Sequence, residues 1–203
     1  LLPVLRGPSP VQTVILNGTK ETGVTIMLLD ENMDHGPIIA QEKYTIDNNE
    51  NAVKLSNQLF NLGAKLLLTI LPNFINGKIV PKPQAEELAT YCLIIKRADG
   101  LIDWNKPAIY IYNQFRAFMP WPGIYTFIDI RGKQTRIKLL EIKLNEKTIE
   151  QPPGTLIVDN EMGVLFFACA QGSIEVTRLQ IEGGKPLSAK EFVNGYKKTP
   201  GVI

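Results

Sequence analysis

Apolar residues recur at near-helical spacing between positions 51 and 76, where Val53, Leu59, Leu62, Leu66, Ile70 and Phe74 mark one stripe and Gly77 supplies a stop. Pro72 is expected to kink or end the last turn of that helix, because it removes a backbone donor and crowds the preceding turn. Upstream, the pattern predicts a short helix over residues 11–16 after Pro10, a β-branched strand over 23–29 and a second extended run over 37–44. Strands alternating with helices suggest the flank of a mainly parallel sheet. Two strands cannot complete such a domain alone, so this half reads as part of a larger α/β fold, with apolar surface left to cover.

The periodicity lapses over residues 78–100, which hold Pro81, Pro83 and the Glu86-Glu87 pair, and this stretch reads as a linker between segments 1–77 and 101–203. After it comes a helix over 106–119, then five short β runs over 124–130, 134–142, 154–159, 163–170 and 173–181. Turn candidates separate them at 131–133, 160–162 and 171–172. Five strands in so short a span suggest a small OB-like β-barrel. Ser188 followed by Glu191 has the spacing of a capping box and opens a closing helix through Tyr196.

The 203 residues, 44% apolar and 21% charged, are those of an ordinary globular protein. The net charge of +2 is divided unevenly. Residues 1–90 carry seven Lys/Arg against nine Asp/Glu, and residues 91–203 carry fifteen against eleven, so the basic excess belongs to the second half. Such asymmetry fits a polyanion-facing module joined to a neutral one. Cys92 and Cys169 lie in apolar surroundings with no metal-ligand spacing around them; they read as buried free thiols of a reducing compartment, which argues against a disulfide framework and against a structural metal. Apolar runs such as residues 66–71 are far shorter than a membrane span, and no leader-like segment opens the chain. The expectation is a monomeric cytoplasmic protein without a membrane anchor.

Several motifs carry more specific information. Leu1-Leu2-Pro3, Arg6-Gly7, Pro8-Ser9-Pro10, Thr22-Gly23-Val24-Thr25, Asp34-His35-Gly36, the run LIDWNKPA at 101–108 and FMPWPG at 118–123 together resemble the formyltransferase family, and within it the methionyl-tRNA formyltransferases. The resemblance implies a partial Rossmann-like formyltransferase domain followed by an OB-like barrel that binds tRNA. It also implies transfer of a formyl group from 10-formyltetrahydrofolate to the α-amino group of initiator methionyl-tRNA, in a bacterial cytoplasm or in an organelle. The amino-terminal folate-binding half of that family, with its catalytic Asn and His, lies before the position of Leu1. A polypeptide of these 203 residues alone is therefore expected to be inactive.

Asp34 stands in a glycine-containing loop after a strand, where a carboxylate can be aimed into a cleft. By the resemblance it is the Asp that orients the catalytic His and favours its protonated form. His35, the only histidine, is not where the family keeps its catalytic His and is read as a loop residue. Leu1, Leu2 and Pro3 match the end of a Ser-Leu-Leu-Pro run that contacts the folate. Arg6, Arg131, Lys133, Arg136 and Lys138 are the candidate tRNA-binding cations, with Arg116 a further one. Arg136 and Lys138 alternate with Ile137 and Leu139, so the cations share an outward face and the apolar pair faces the core. Trp104 and Trp121 read as structural, with Trp121 locking a helix-to-strand corner between two prolines. Two other readings remain open: a folate-dependent formyltransferase acting on a sugar amine, and a non-catalytic RNA-binding fragment.

Overall fold

The long stripe forms a helix, and its most buried positions show which of its faces is covered. The computed structural model describes residues 1–159 and 163–196, and the chain divides into two compact units, Leu1–Ile95 and Lys96–Ile203. In the first, α1 is Pro10–Leu16, β1 Glu21–Met27, β2 Ile38–Thr45 and α2 Ala52–Ile75. Asn51 caps α2, its side chain accepting from Lys54 N–H at 2.9 Å. Leu55 and Leu59 are buried and Leu62, Leu66 and Ile70 half-buried, one stripe advancing slowly round the helix. Val53 is exposed, contrary to expectation. Six residues before Leu59, it lies about 240° round the helix from it.

Pro72 does not end α2, which runs one turn further to Ile75, with Asn76 N–H donating to Pro72 O at 3.1 Å. By length and composition α2 is also apolar enough to cross a membrane, which the reading of short uninterrupted runs had excluded. The runs are broken by single polar residues such as Asn61 and Lys65, yet the average stays high. One face of α2 packs on α1, β1 and β2, and the outer face exposes Phe60, Leu67, Leu68, Leu71 and Ile75.

β1 and β2 pair antiparallel, from Glu21 opposite Thr45 to Met27 opposite Ile38, and form a hairpin. Alternation with helices fixes neither strand direction nor partner; here a ten-residue loop turns the chain straight back. The segment read as a linker is pinned to this unit. Ile38 and Lys82 exchange main-chain hydrogen bonds of 2.8 Å, Arg6 N–H donates to Thr90 O at 2.8 Å and Cys92 N–H donates to Arg6 O at 2.9 Å.

In the second unit α3 is Ala108–Phe118, and β3 (Ile124–Ile130), β4 (Lys133–Asn145), β5 (Leu156–Asp159), β6 (Val164–Ala168), β7 (Ser173–Ile181) and β8 (Pro186–Ser188) form one antiparallel sheet, followed by α4, Ala189–Tyr196. Its order is β3-β4-β7-β6-β5, with β8 also on β7. β4 is longer than expected because it serves two neighbours, β3 with its first half and β7 with its second, with irregular register between Leu139 and Ile142. Such irregularities bend and twist a strand. The sheet curls, and among the described residues no pairing joins β3 to β5.

Arg131 and Gly132 both have positive φ, 56° and 78°, the conformation of a tight two-residue hairpin whose twist matches the strands it joins. The turn expected at 160–162 lies outside the described residues. Ile111 and Phe118 of α3, Ile137 and Leu139 of β4, Leu165 and Phe167 of β6, and Phe192 of α4 are all buried. Ser188 and Glu191 make the expected capping box: Ser188 N–H donates to the Glu191 carboxylate at 2.7 Å and Glu191 N–H to Ser188 Oγ at 3.3 Å.

Trp104 is structural as read, stacked on Phe167 at 4.4 Å with its indole N–H donating to Thr126 Oγ1 at 2.9 Å. Trp121 is 55% exposed. The corner is closed by Gly123 N–H donating to Phe118 O at 2.9 Å, beside the buried Phe118.

Cys92 and Cys169 are buried and free. Burial pushes the Cys169 thiol up to about 11, whereas an exposed thiol ionises near about 8.5. A raised folded value means that the contribution of the protonated thiol is complete below the unfolded value and is lost as pH rises through the folded one. Native protein at pH 8.5 is therefore expected to resist alkylation at Cys169, with rapid reaction only in denaturant. Mass spectrometry after a timed iodoacetamide pulse checks this, and labelling of Cys169 at the denatured rate would contradict it.

Candidate functional site

Three stretches distant in sequence meet around Asp34. The loop between β1 and β2 carries it, residues 1–9 run beside it, and residues 82–93 close over both. The loop is shaped locally. Leu28 N–H donates to Pro37 O at 2.9 Å across its neck, Asp30 accepts from Asn32 N–H at 2.9 Å, and the Gly36 Cα lies so close to Leu28 O that a side chain could not fit. Asp34 has a left-handed backbone, φ 53°, which Asp tolerates better than most residues because its short polar side chain finds local partners. Its Oδ2 accepts from Gly7 N–H at 2.8 Å, a charge-assisted contact. No other hydrogen bond to this carboxylate is made among the described residues, which leaves Oδ1 open.

Gly7 is itself constrained, with φ 119° and a would-be Cβ 2.8 Å from Cys92 O. Gly7→Ala is expected to cost about 1–3 kcal/mol and to disturb the N–H that holds Asp34. Thermal unfolding checks this, and an unchanged melting temperature would show that the backbone adapts at no cost.

Arg6, expected among the tRNA-binding cations, is only 1% exposed. Its guanidinium is consumed internally. Nη1 and Nη2 donate to the two carboxylate oxygens of Glu86 at 3.0 and 2.6 Å, Nε and Nη2 to Gln84 Oε1 at 3.2 and 2.9 Å, and Nη1 to Tyr91 Oη at 3.4 Å. Arg6 is thus a buried brace with no donor turned to a phosphate. The Glu86 carboxyl is held below the usual range, chiefly by the Arg6 hydrogen bonds. His35 is placed between two carboxylates, Nδ1 2.5 Å from Asp30 Oδ2 and Nε2 3.3 Å from Glu86 Oε1. Asp30 is lowered, first by its hydrogen bond with His35. His35 does not reach Asp34 by any hydrogen bond, in keeping with its reading as a loop residue.

Leu1 and Leu2 are tied down by the hairpin. Leu2 N–H donates to Thr25 Oγ1 at 3.2 Å, and Gln41 Nε2 donates to Leu2 O at 2.7 Å and to Thr25 Oγ1 at 3.0 Å. Together with Val4, Val11, Thr22 and Asp34 they line a cleft of about 200 Å³. Pro3 belongs to the same turn, which Val4 N–H closes onto Leu1 O at 3.1 Å, but does not itself line the cleft. The chemistry is an apolar wall facing a single carboxylate, suited to a flat apolar group with a polar edge. Gln84 and Glu86 are the members of this site that the sequence reading missed.

The second unit presents a separate polar face. Ile137 and Leu139 are buried and Arg136 and Lys138 lie on the opposite side of β4, as the alternation requires. Tyr125 stands opposite Lys138 and Phe127 opposite Arg136 in the β3–β4 register. The Arg136 guanidinium stacks 3.9 Å over the Tyr125 ring, Tyr125 meets Phe127 edge-on at 5.9 Å, and Phe127 is 50% exposed. Arg136 also lies 4.0 Å from Glu182. Arg136, Lys138 and Gln180 line a shallow cleft of about 200 Å³, and Arg131 and Lys133 are exposed at the hairpin tip. Arg116 is buried, donating to Asn113 Oδ1 at 2.6 Å. The alternation of Tyr125 and Phe127 along β3 was the available signal for the aromatic half of this face.

Comparison with known proteins bears on both units. Residues 1–71 match the formyl transferase family model and residues 94–197 that of the formyl transferase C-terminal domain. A methionyl-tRNA formyltransferase of Caldicellulosiruptor saccharolyticus is 42% identical over all of this chain and 64% of its own length. One of Caldanaerobacter subterraneus is 36% identical over the same shares. The chain thus spans less than two thirds of these relatives. Among solved structures, HypX of Aquifex aeolicus in complex with tetrahydrofolic acid shares the fold, with a TM-score of 0.67 at 18% identity over 95% of this chain and 33% of that one. With both units matched by models of one family and relatives of that family aligned along its whole length, the chain belongs to the formyl transferase family.

Proposed function

We propose that the full-length protein transfers a formyl group from 10-formyltetrahydrofolate to the α-amino group of initiator methionyl-tRNA. The observation that carries this reading is the carboxylate of Asp34, fixed by Gly7 N–H at 2.8 Å and facing an apolar cleft with its second oxygen open. A carboxylate held in this way can accept an imidazole N–H and orient that ring for proton transfer at the attacking amine. The resemblance assigns the imidazole to a catalytic His. The chain's one histidine, His35, is engaged by Asp30 and Glu86 and does not serve.

The cleft suits part of the folate donor: Leu1, Leu2, Val4 and Val11 offer apolar walls, and the main chain beside Pro3 is held rigid by Thr25 and Gln41. When bound, the donor supplies the formyl carbon. The residues of this chain orient and shield the site and provide the fixed negative charge of Asp34. The cation and aromatic face of the second unit supports a polyanionic acceptor, since cations give phosphate affinity and exposed aromatic rings can stack on unpaired bases. The methionyl-tRNA formyltransferases that align along all of this chain favour this acceptor over a sugar amine. Incubating full-length protein with formyl-labelled donor and initiator methionyl-tRNA is expected to give a blocked amino terminus on the aminoacyl group. Absence of label in the aminoacyl-tRNA under saturating donor would overturn the reading.

A further inference from the structure

Gln84 joins the buried Arg6 brace to the main chain of the Asp34 loop. Its Oε1 accepts from Arg6 Nε and Nη2 at 3.2 and 2.9 Å, and its Nε2 donates to Asp34 O at 3.0 Å and Gly36 O at 2.8 Å. The orientation of the amide follows from these partners. Turned over, it would set its NH₂ against guanidinium donors and its oxygen against two carbonyls, losing all four contacts. The brace is held in turn by Glu86, which grips Arg6 through both carboxylate oxygens. Asp34 is the one loop residue that needs such support, having a left-handed backbone without being glycine. Its carboxylate is referenced to Gly7 N–H and its carbonyl, through Gln84, to the Arg6 side chain.

We propose that Gln84 is a positioning residue that sets the orientation of Asp34 by clamping the Asp34 and Gly36 carbonyls to the Arg6–Glu86 pair. This inference rests on the reading of Asp34 as part of the formyl-transfer machinery. Gln84 touches neither the cleft nor the carboxylate itself, and acts through the loop.

The informative variant is Gln84→Glu in the full-length protein. It keeps the side-chain length and strengthens the pairing with Arg6, while turning an oxygen toward two carbonyls. Gln84→Ala removes both functions. Both are expected to lower kcat on the order of ten- to a hundred-fold, as misplacement of a reacting group does, with the KM for methionyl-tRNA within about two-fold of wild type because the cation face is untouched. Amide hydrogen exchange across residues 28–37 is expected to accelerate in both variants while exchange in α2 stays at the wild-type rate. Wild-type kcat in folded Gln84→Glu, a raised KM with kcat unchanged, or acceleration spread equally over α2 would each overturn the proposal. The exchange result does not depend on turnover. If the wild-type protein transfers no formyl group, the functional reading fails, and a loop that still loosens in Gln84→Glu upholds the clamp.

Discussion

Replacing Asp34 with Ala in the full-length protein is expected to lower formyl-transfer turnover by about 10²–10⁴-fold, the range that accompanies loss of acid–base assistance. Ala tolerates a left-handed backbone less well than Asp, so part of this loss could come from the loop. Asp34→Asn separates the two contributions. Asn accepts φ near 53° as readily and keeps an oxygen for the Gly7 N–H, but carries no charge to favour a protonated partner. Turnover in Asp34→Asn is expected to fall nearly as far as in Asp34→Ala, with the melting temperature unchanged. Near-normal turnover in folded Asp34→Asn would remove the charge from the mechanism, and near-normal turnover in both would remove the residue.

The second large effect is expected on RNA affinity. Arg136→Ala combined with Lys138→Ala removes two cations from one face of β4 and leaves the buried Ile137 and Leu139 in place, so the sheet should persist. Binding to initiator and elongator tRNAs is expected to weaken alike, on the order of ten-fold at low salt, and the slope of log affinity against log salt to fall by about one for each lost phosphate contact. Equal loss on both tRNAs follows from the chemistry, since cations on a strand meet phosphates, which are the same in every sequence. Wild-type affinity and slope in the folded double variant would mean that this face is only solvated. Phe127→Ala gives a complementary reading: stacking losses would reduce affinity without changing the slope.

Much of this was legible in the sequence because periodicity reports which side of an element is covered. Ile137 and Leu139 turned inward and Arg136 and Lys138 outward as alternation demands, and the Ser188–Glu191 capping box formed from its spacing alone. The Asp34 loop was legible through its glycine and the motifs around it. What stayed hidden depends on contacts between distant segments. Gln84 Nε2 reaches Asp34 across 50 positions and Gln84 Oε1 meets Arg6 across 78, and no local pattern distinguishes a Pro-rich segment that clamps a loop from one that merely links.

Arg6 shows the same limit in reverse. Arg6 stood among the candidate tRNA-binding cations, and only the acceptors brought round by residues 84–91 make it a buried brace. The antiparallel pairing of β1 with β2 was not legible for a related reason, since strand pairing is decided by where the chain returns and not by the strands' own composition. The length of β4 is likewise set at long range, because it pairs with both β3 and β7.

Formyl transfer to the amine of methionyl-tRNA is the central claim, and a direct competition tests it. Full-length protein is given 10-formyltetrahydrofolate together with initiator methionyl-tRNA and a nucleotide-linked amino sugar in equal amounts, and the formylated products are resolved by mass spectrometry. The account predicts N-formylmethionyl-tRNA as the dominant product, with its share falling as salt is raised because the cation face of the second unit is screened. A formylated sugar as the dominant product, or a methionyl-tRNA share indifferent to salt and to loss of Arg136 and Lys138, would contradict it.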